Sequence, residues 1–341
     1  MFKYGTSELA PSANPPSLPL VPESLEDWKG ELFLKAMDLD GCRSLCRILQ
    51  HRKPEDIQLA FSELKDHICS LMFDRFGGSV ILCLSEVCDE QQMNQLVSSL
   101  TADARLLMLV CLNPNGSDIM QKLIGILGQK QNYAIIGFFS YLAIPLANHP
   151  SGSQVIAQCY KMFPVKETEP IVKTIADYCL ELAVDQNGSE ILKILISSDE
   201  RAIIARLLSD IYNLSLDEFG SSVVQHLIGL EKRYLMRHIV DEMQGLFTYL
   251  SYHKYGTNVI KKLIGASRAK YAPQIISEII EDPHLLAVLA DPNGFSLLES
   301  AKKYAKGTDL KTLDDLIRQH SQLLKKELKR NRDMRQALAL V

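Results

Sequence analysis

The sequence predicts an all-α protein, an α-solenoid of eight helical repeats, and three observations carry that expectation. A short pattern returns along the chain: D-L-D-G-C-R-S-L-C-R at Asp38, F-D-R-F-G-G-S-V-I-L at Phe73, N-P-N-G-S-D-I-M-Q-K at Asn113 and H-P-S-G-S-Q-V-I-A-Q at His149. It continues as D-Q-N-G-S-E-I-L-K-I at Asp185, D-E-F-G-S-S-V-V-Q-H at Asp217, H-K-Y-G-T-N-V-I-K-K at His253 and D-P-N-G-F-S-L-L-E-S at Asp291. Second, the glycines of these copies (Gly41, Gly77, Gly116, Gly152, Gly188, Gly220, Gly256 and Gly294) recur at a period near 36 residues, with the widest gap from Gly77 to Gly116. Third, the apolar residues after each glycine fall on one helical face, as with Val223, Val224, Leu227 and Ile228, and again with Val259, Ile260, Leu263 and Ile264.

Each element follows in order from that pattern. Residues 1–22 carry P-S-A-N-P-P-S-L-P-L-V-P, which buries nothing and reads as a disordered arm. The repeat domain is expected over 23–320. Within each copy the acidic, Asn or His lead opens a helix, and the glycine sits where the chain turns sharply into it. A second apolar helix comes before, for example I-V-K-T-I-A-D-Y-C-L-E-L-A ahead of Gly188 and Q-I-I-S-E-I-I ahead of Gly294. Such a pair exposes too much apolar surface to stand alone, so neighbours stack into a curved array with concave and convex faces. Residues 321–341 are expected as a basic capping helix, part of a long helix beginning near Asp309.

Composition narrows the function. The chain has 341 residues, 47% of them apolar, and a formal charge of −4, so a strongly basic nucleic-acid binder is excluded and any basic surface is local. Its eight cysteines show no C-x-x-C pairing and no matching histidine spacing, so no metal site is expected. They read instead as free thiols of a cytoplasmic or nuclear protein. No run reaches the roughly 18 apolar residues of a membrane span. Ser-His-Asp, G-x-x-x-x-G-K-[ST], H-E-x-x-H and G-x-G-x-x-G spacings are all missing. An enzyme is not expected, and no cofactor is implied.

The repeats resemble the Pumilio homology domain of the PUF family over about residues 35 to 320. The copies H-K-Y-G-T-N-V-I-K-K and D-E-F-G-S-S-V-V-Q-H are the nearest to its pattern, and the degenerate ones make the chain similar to diverged Pumilio-like proteins of plants. The resemblance implies a right-handed, armadillo-like superhelix in which one helix per repeat faces single-stranded RNA and three side chains read one base. The first and third readers lie at i and i+4, on one face. Carried over, the base-edge residues are Cys42 with Cys46, Ser117 with Gln121, Ser153, Ser189 with Lys193, Ser221 with Gln225, Thr257 with Lys261, and Glu299. Arg43, Gln154 and Asn258 take the stacking position. In the family, Ser or Cys with Gln reads adenine, so Ser117/Gln121 and Ser221/Gln225 follow that code.

Other positions depart from the family pattern. Gly78 and Leu82 offer no hydrogen-bonding side chain, nor does Ala157, and Phe295 stands at a leading position. Asp118 and Glu190 place negative charge where bases stack, beside a polyanion. Arg43, Arg47, Lys122, Lys193, Lys261 and Lys262 supply local positive charge. Two function classes follow: an RNA-binding regulator acting on 3′ untranslated regions of mRNA to change translation or stability, and a solenoid that has kept the scaffold and holds proteins instead. An array with capped ends is expected to be a monomer, with regulatory proteins on the convex face and no membrane contact.

Overall fold

The computed structural model describes residues 24–130 and 132–338, so the expected N-terminal arm lies outside the described residues. Among them every regular element is a helix. They fall into two compact units, the first ending at Asp103 and the second beginning at Ala104. The division lies in the widest interval between glycines, from Gly77 to Gly116.

The first unit contains two glycine-bearing helices, α1 (Leu39–Gln50) and α2 (Arg75–Val87), packed directly on one another. The second contains six: α3 (Pro114–Gln129), α4 (Pro150–Met162), α5 (Gln186–Ser197), α6 (Glu218–Gly229), α7 (Gly256–Glu281) and α8 (Pro292–Ala301). Each of α3 to α7 packs on the next, so the six make one continuous row. The apolar stripes are the seam of that row. Val223, Val224, Leu227 and Ile228 are fully buried, as are Val259, Ile260 and Leu263, and Ile264 is 1% exposed.

Most repeats have three helices where the sequence suggested two. The copy around Gly220 shows the plan, with Ile211–Leu216, then α6, then Arg233–Met243. The stretch before Gly188, expected as one helix, breaks at Tyr178 (φ −115°, ψ 17°) into Val165–Asp177 and Cys179–Ala183. The Q-I-I-S-E-I-I stretch belongs to α7 itself, which runs on for 26 residues to Glu281.

The repeated glycine is there for close packing, not for a turn. None of the eight has a positive φ. A Cβ added at Gly152 or Gly188 would lie 2.6 Å from the carbonyl oxygen of Leu146 or Leu182, and one at Gly220 or Gly256 would lie 2.7 Å from that of Leu214 or Leu250. Gly41, Gly77, Gly116 and Gly294 meet the carbonyls of Lys35, Leu71, Val110 and Val288 in the same way. The partner is always the residue six positions earlier, so the glycine lets the short preceding helix press its backbone onto the next one.

The leading acidic, Asn and His residues are N-caps. Asp38, Asp74, Asn113, Asp185, Asp217 and Asp291 each accept from the backbone N–H of their glycine, at 2.7–3.0 Å. His149 Nδ1 accepts from Ser151 N at 3.2 Å. Each satisfies one orphan donor of the first turn, worth about 0.5–2 kcal/mol. Only the Gly256 copy lacks a side-chain cap, since α7 starts at the glycine itself and the buried Nδ1 of His253 has no hydrogen-bond partner.

At the C-terminal end, α9 (Gly307–Leu338) begins where Gly307 takes φ +58°. A boundary at 320/321 therefore falls inside one unbroken helix, because nothing in that stretch interrupts its hydrogen bonding. No single helix among the described residues is long and apolar enough to cross a membrane.

Candidate nucleic-acid interface

Helical spacing places the first and third readers of each copy on the same side of their helix, and the packing then treats them differently. The leading residues Cys42, Ser117, Ser189, Ser221 and Thr257 are only 1–6% exposed, sunk into the seam, while Ser153 is half-buried. The two members of each base-edge pair therefore differ in accessibility. Their hydroxyl protons are also committed: Ser117 Oγ donates to Ser151 O (2.8 Å), Ser153 Oγ to Pro150 O (3.1 Å), Ser189 Oγ to Gln186 O (2.9 Å) and Ser221 Oγ to Glu218 O (3.0 Å). Thr257 Oγ1 lies 2.8 Å from both Ser251 O and His253 O. A hydroxyl that has spent its proton can only accept from a ligand.

The residues four positions on carry the accessible polar ends. Gln121, Lys193, Gln225 and Lys261 are half-buried, with their stems in the row, and Glu299 is exposed. Gln121 Nε2 donates to Ser117 Oγ at 3.2 Å and to Gln154 Oε1 on the adjacent helix at 3.3 Å, which ties two neighbouring copies together. Lys261 Nζ donates to Ser296 Oγ on α8 at 3.0 Å. Stacking candidates Arg43, Gln154 and Asn258 are all exposed.

Charge along the row is largely self-compensated in its first half. Lys122 Nζ lies 2.7 Å from Asp118, and Lys193 Nζ lies 2.7 Å from Glu190. The acidic residues at stacking positions therefore cancel the very lysines the sequence offered as phosphate contacts. By contrast, no carboxylate lies within ion-pair distance of Lys261 or Lys262 among the described residues. Positive potential survives toward α7.

In the first unit the same face has different chemistry. Cys42 Sγ is 3.3 Å from Phe76 O, Cys46 Sγ is 3.8 Å from Ser79 O, and Cys46 and Cys83 place their sulfurs 2.6 Å apart. Gly78 and half-buried Leu82 complete it. Arg43 sits near Asp40 at 3.7 Å.

In one column, the position immediately after each third reader, only the charged members Arg47, Lys122 and Lys262 were read from the sequence. The others are Cys83, Gln158, Ile194, His226 and Ser300. His226 Nε2 is 2.8 Å from Ser197 Oγ of α5, and burial together with nearby Lys193 depresses its pKa, so it is held neutral. Gln158 and Ile194 line an open cavity of about 530 Å³ with Gln121, Gln154, Tyr160 and Ser198. Its signal was available, since a residue at i+5 lies four positions after the stacking residue at i+1 and shares that residue's helical face. Tyr255 was also missed; its hydroxyl donates to Glu218 at 3.1 Å, joining α6 to the start of α7.

Capped helices set side by side, each offering one short stretch of side chains to a shared row, define an α-solenoid repeat protein. Residues 143–176, 178–192, 210–243 and 247–280 match the Pumilio-family RNA-binding repeat. In those segments the chain is similar to that family. The Arabidopsis thaliana protein Pumilio homolog 12 is 28% identical over 300 residues, which cover 86% of this chain and 50% of the relative. A Pumilio domain-containing protein of Schizosaccharomyces pombe is 25% identical over 315 residues, covering 85% of this chain and 45% of its own. The chain thus spans about half the length of the curated relatives it matches. Among solved structures, the Puf4 RNA-binding domain bound to an HO endonuclease 3′ UTR recognition sequence superposes with a TM-score of 0.74 at 25% identity, over 84% of this chain and 92% of that one. The yeast Puf5p RNA-binding domain bound to SMX2 RNA gives 0.70 at 20% identity, over 87% and 92%, a likeness of fold.

Proposed function

We propose that the chain is a sequence-specific single-stranded RNA-binding protein that acts on 3′ untranslated regions of mRNA to regulate translation and stability, with the second unit as its reading surface. The observation that carries this reading is the row α3 to α8, where Gln121, Lys193, Gln225 and Lys261 stand at the same position of four helices, with Ala157 of α4 between the first two. Gln225 and Gln121 offer a donor and an acceptor to a base edge, and their buried serine partners leave room and a lone pair. Lys261 and Lys262 supply phosphate contacts. Exposed Gln154 and Asn258 occupy the gaps between bases, where stacking is worth about 1–3 kcal/mol per base. Binding rather than catalysis is the work such a row does. A chain that carries its cysteines as buried and half-buried thiols fits a reducing compartment, the cytoplasm or nucleus.

Selection from a random RNA pool, followed by titration of the enriched sequence at two salt concentrations, tests this. Enrichment of adenines spaced to face Gln121 and Gln225 supports it. Absence of enrichment supports a second reading, a Pumilio-type scaffold for protein partners, which the internal Asp118–Lys122 and Glu190–Lys193 pairs favour.

A further inference from the structure

Of the eight cysteines, six are buried, and the two that are not, Cys46 and Cys83, face each other across the first unit. They stand on α1 and α2, which pack directly together, and their sulfurs are 2.6 Å apart. That is well inside the separation of two sulfurs in ordinary contact, and close to what a covalent bond of about 2.05 Å requires. Helical packing, not a flexible loop, holds them there, so neither partner has to search for the other.

We propose that Cys46 and Cys83 form a redox-sensitive pair, closed to a disulfide by a peroxide such as hydrogen peroxide and reopened by thiol reductants. The chemistry balances with that oxidant. The Cys83 thiolate attacks one peroxide oxygen and breaks the O–O bond; the departing hydroxide takes up the thiol's proton and leaves as water. The Cys46 sulfur then attacks the Cys83 sulfenic sulfur, and the second water leaves with the Cys46 proton. Two thiols are oxidised and one peroxide is reduced to two waters. The roles follow from the local hydrogen bond between the sulfurs, which lowers the Cys83 thiol below the ordinary cysteine range and raises Cys46, so Cys83 is the nucleophile and Cys46 the resolving thiol. Cys42, one turn away on α1, is pushed up by burial and stays protonated. Closure joins the two glycine-bearing helices of the first unit and removes Cys46 from the face it shares with Cys42.

The test is peptide mapping of the full chain after brief exposure to hydrogen peroxide and alkylation of remaining thiols. Trypsin places Cys42 and Cys46 on different peptides, by cleavage at Arg43, and a second cleavage at Glu86 separates Cys83 from Cys88. The expected result is a Cys46–Cys83 link forming ahead of modification at any other cysteine, reversed by dithiothreitol, absent in Cys46→Ser and Cys83→Ser, and retained in Cys88→Ser. A dominant link to Cys42 or Cys88, or accumulation of Cys83 sulfinic acid without a link, overturns the proposal. Mapping of the wild-type chain alone decides it if a variant fails to fold.

Discussion

The first unit and the second use the same scaffold and present different surfaces. In both, an Asp or Asn caps the helix and a glycine lets the preceding carbonyl approach, as at Asp74 with Gly77 and at Asp217 with Gly220. On the accessible side the first unit offers the Cys46 and Cys83 thiols, Leu82 and Arg43, while the second offers amides and ammonium groups. All four segments matching the Pumilio-family repeat lie in the second unit. Residues that make the repeat are therefore separable from residues that make it useful, because the former face the neighbouring helix and the latter face away from it.

The sharpest way to break this comparison is through the shared part. Gly77→Ala and Gly220→Ala should each destabilise the chain, by about 1–3 kcal/mol from overpacking, less the gain of about 1 kcal/mol in helix propensity. Chemical denaturation measures both, and a neutral result in one unit alone would mean that its glycine is not bearing the same contact. Next in size is Gln225→Ala, expected to weaken binding of a selected RNA about tenfold, near 1.4 kcal/mol, and to erase preference at one base. The parallel change Cys46→Ala should alter affinity less than about twofold, given the small net worth of any hydrogen bond a thiol makes. Equal losses in the two variants would sink the division of labour.

Capping comes third: Asp74→Ala and Asp217→Ala should each cost about 1 kcal/mol in unfolding experiments, with RNA preference unchanged in the folded protein. The smallest effect sharpens the electrostatic difference along the second unit. Asp118→Asn and Glu190→Gln release Lys122 and Lys193, so the slope of log affinity against log salt should steepen by about 0.7 for each lysine that reaches a phosphate. An unchanged slope would place those lysines away from the RNA backbone.

Much of this was legible beforehand because its causes are local. An Asp three residues before a glycine, followed by a helical apolar stripe, specifies a capped helix whose face must be covered, and repetition at a constant period specifies what covers it. The misreadings have a common origin. From sequence, the glycines looked like turn residues and the burial of the leading serines was not visible; both depend on packing across a helix boundary or against the next copy, which their own spacing does not reveal. The Cys46–Cys83 contact and the lining of the cavity beside Gln121 are of the same kind.

By itself the sequence determined the all-helical class, the repeat, the caps and the i, i+4 pairing of candidate readers, since these depend on spacing within a few turns of one helix. Only the tertiary structure decided where the array divides, which of each pair stays accessible and which lysines keep their charge unopposed, because burial and ion pairing are set by how helices pack and where side chains settle, not by their order along the chain.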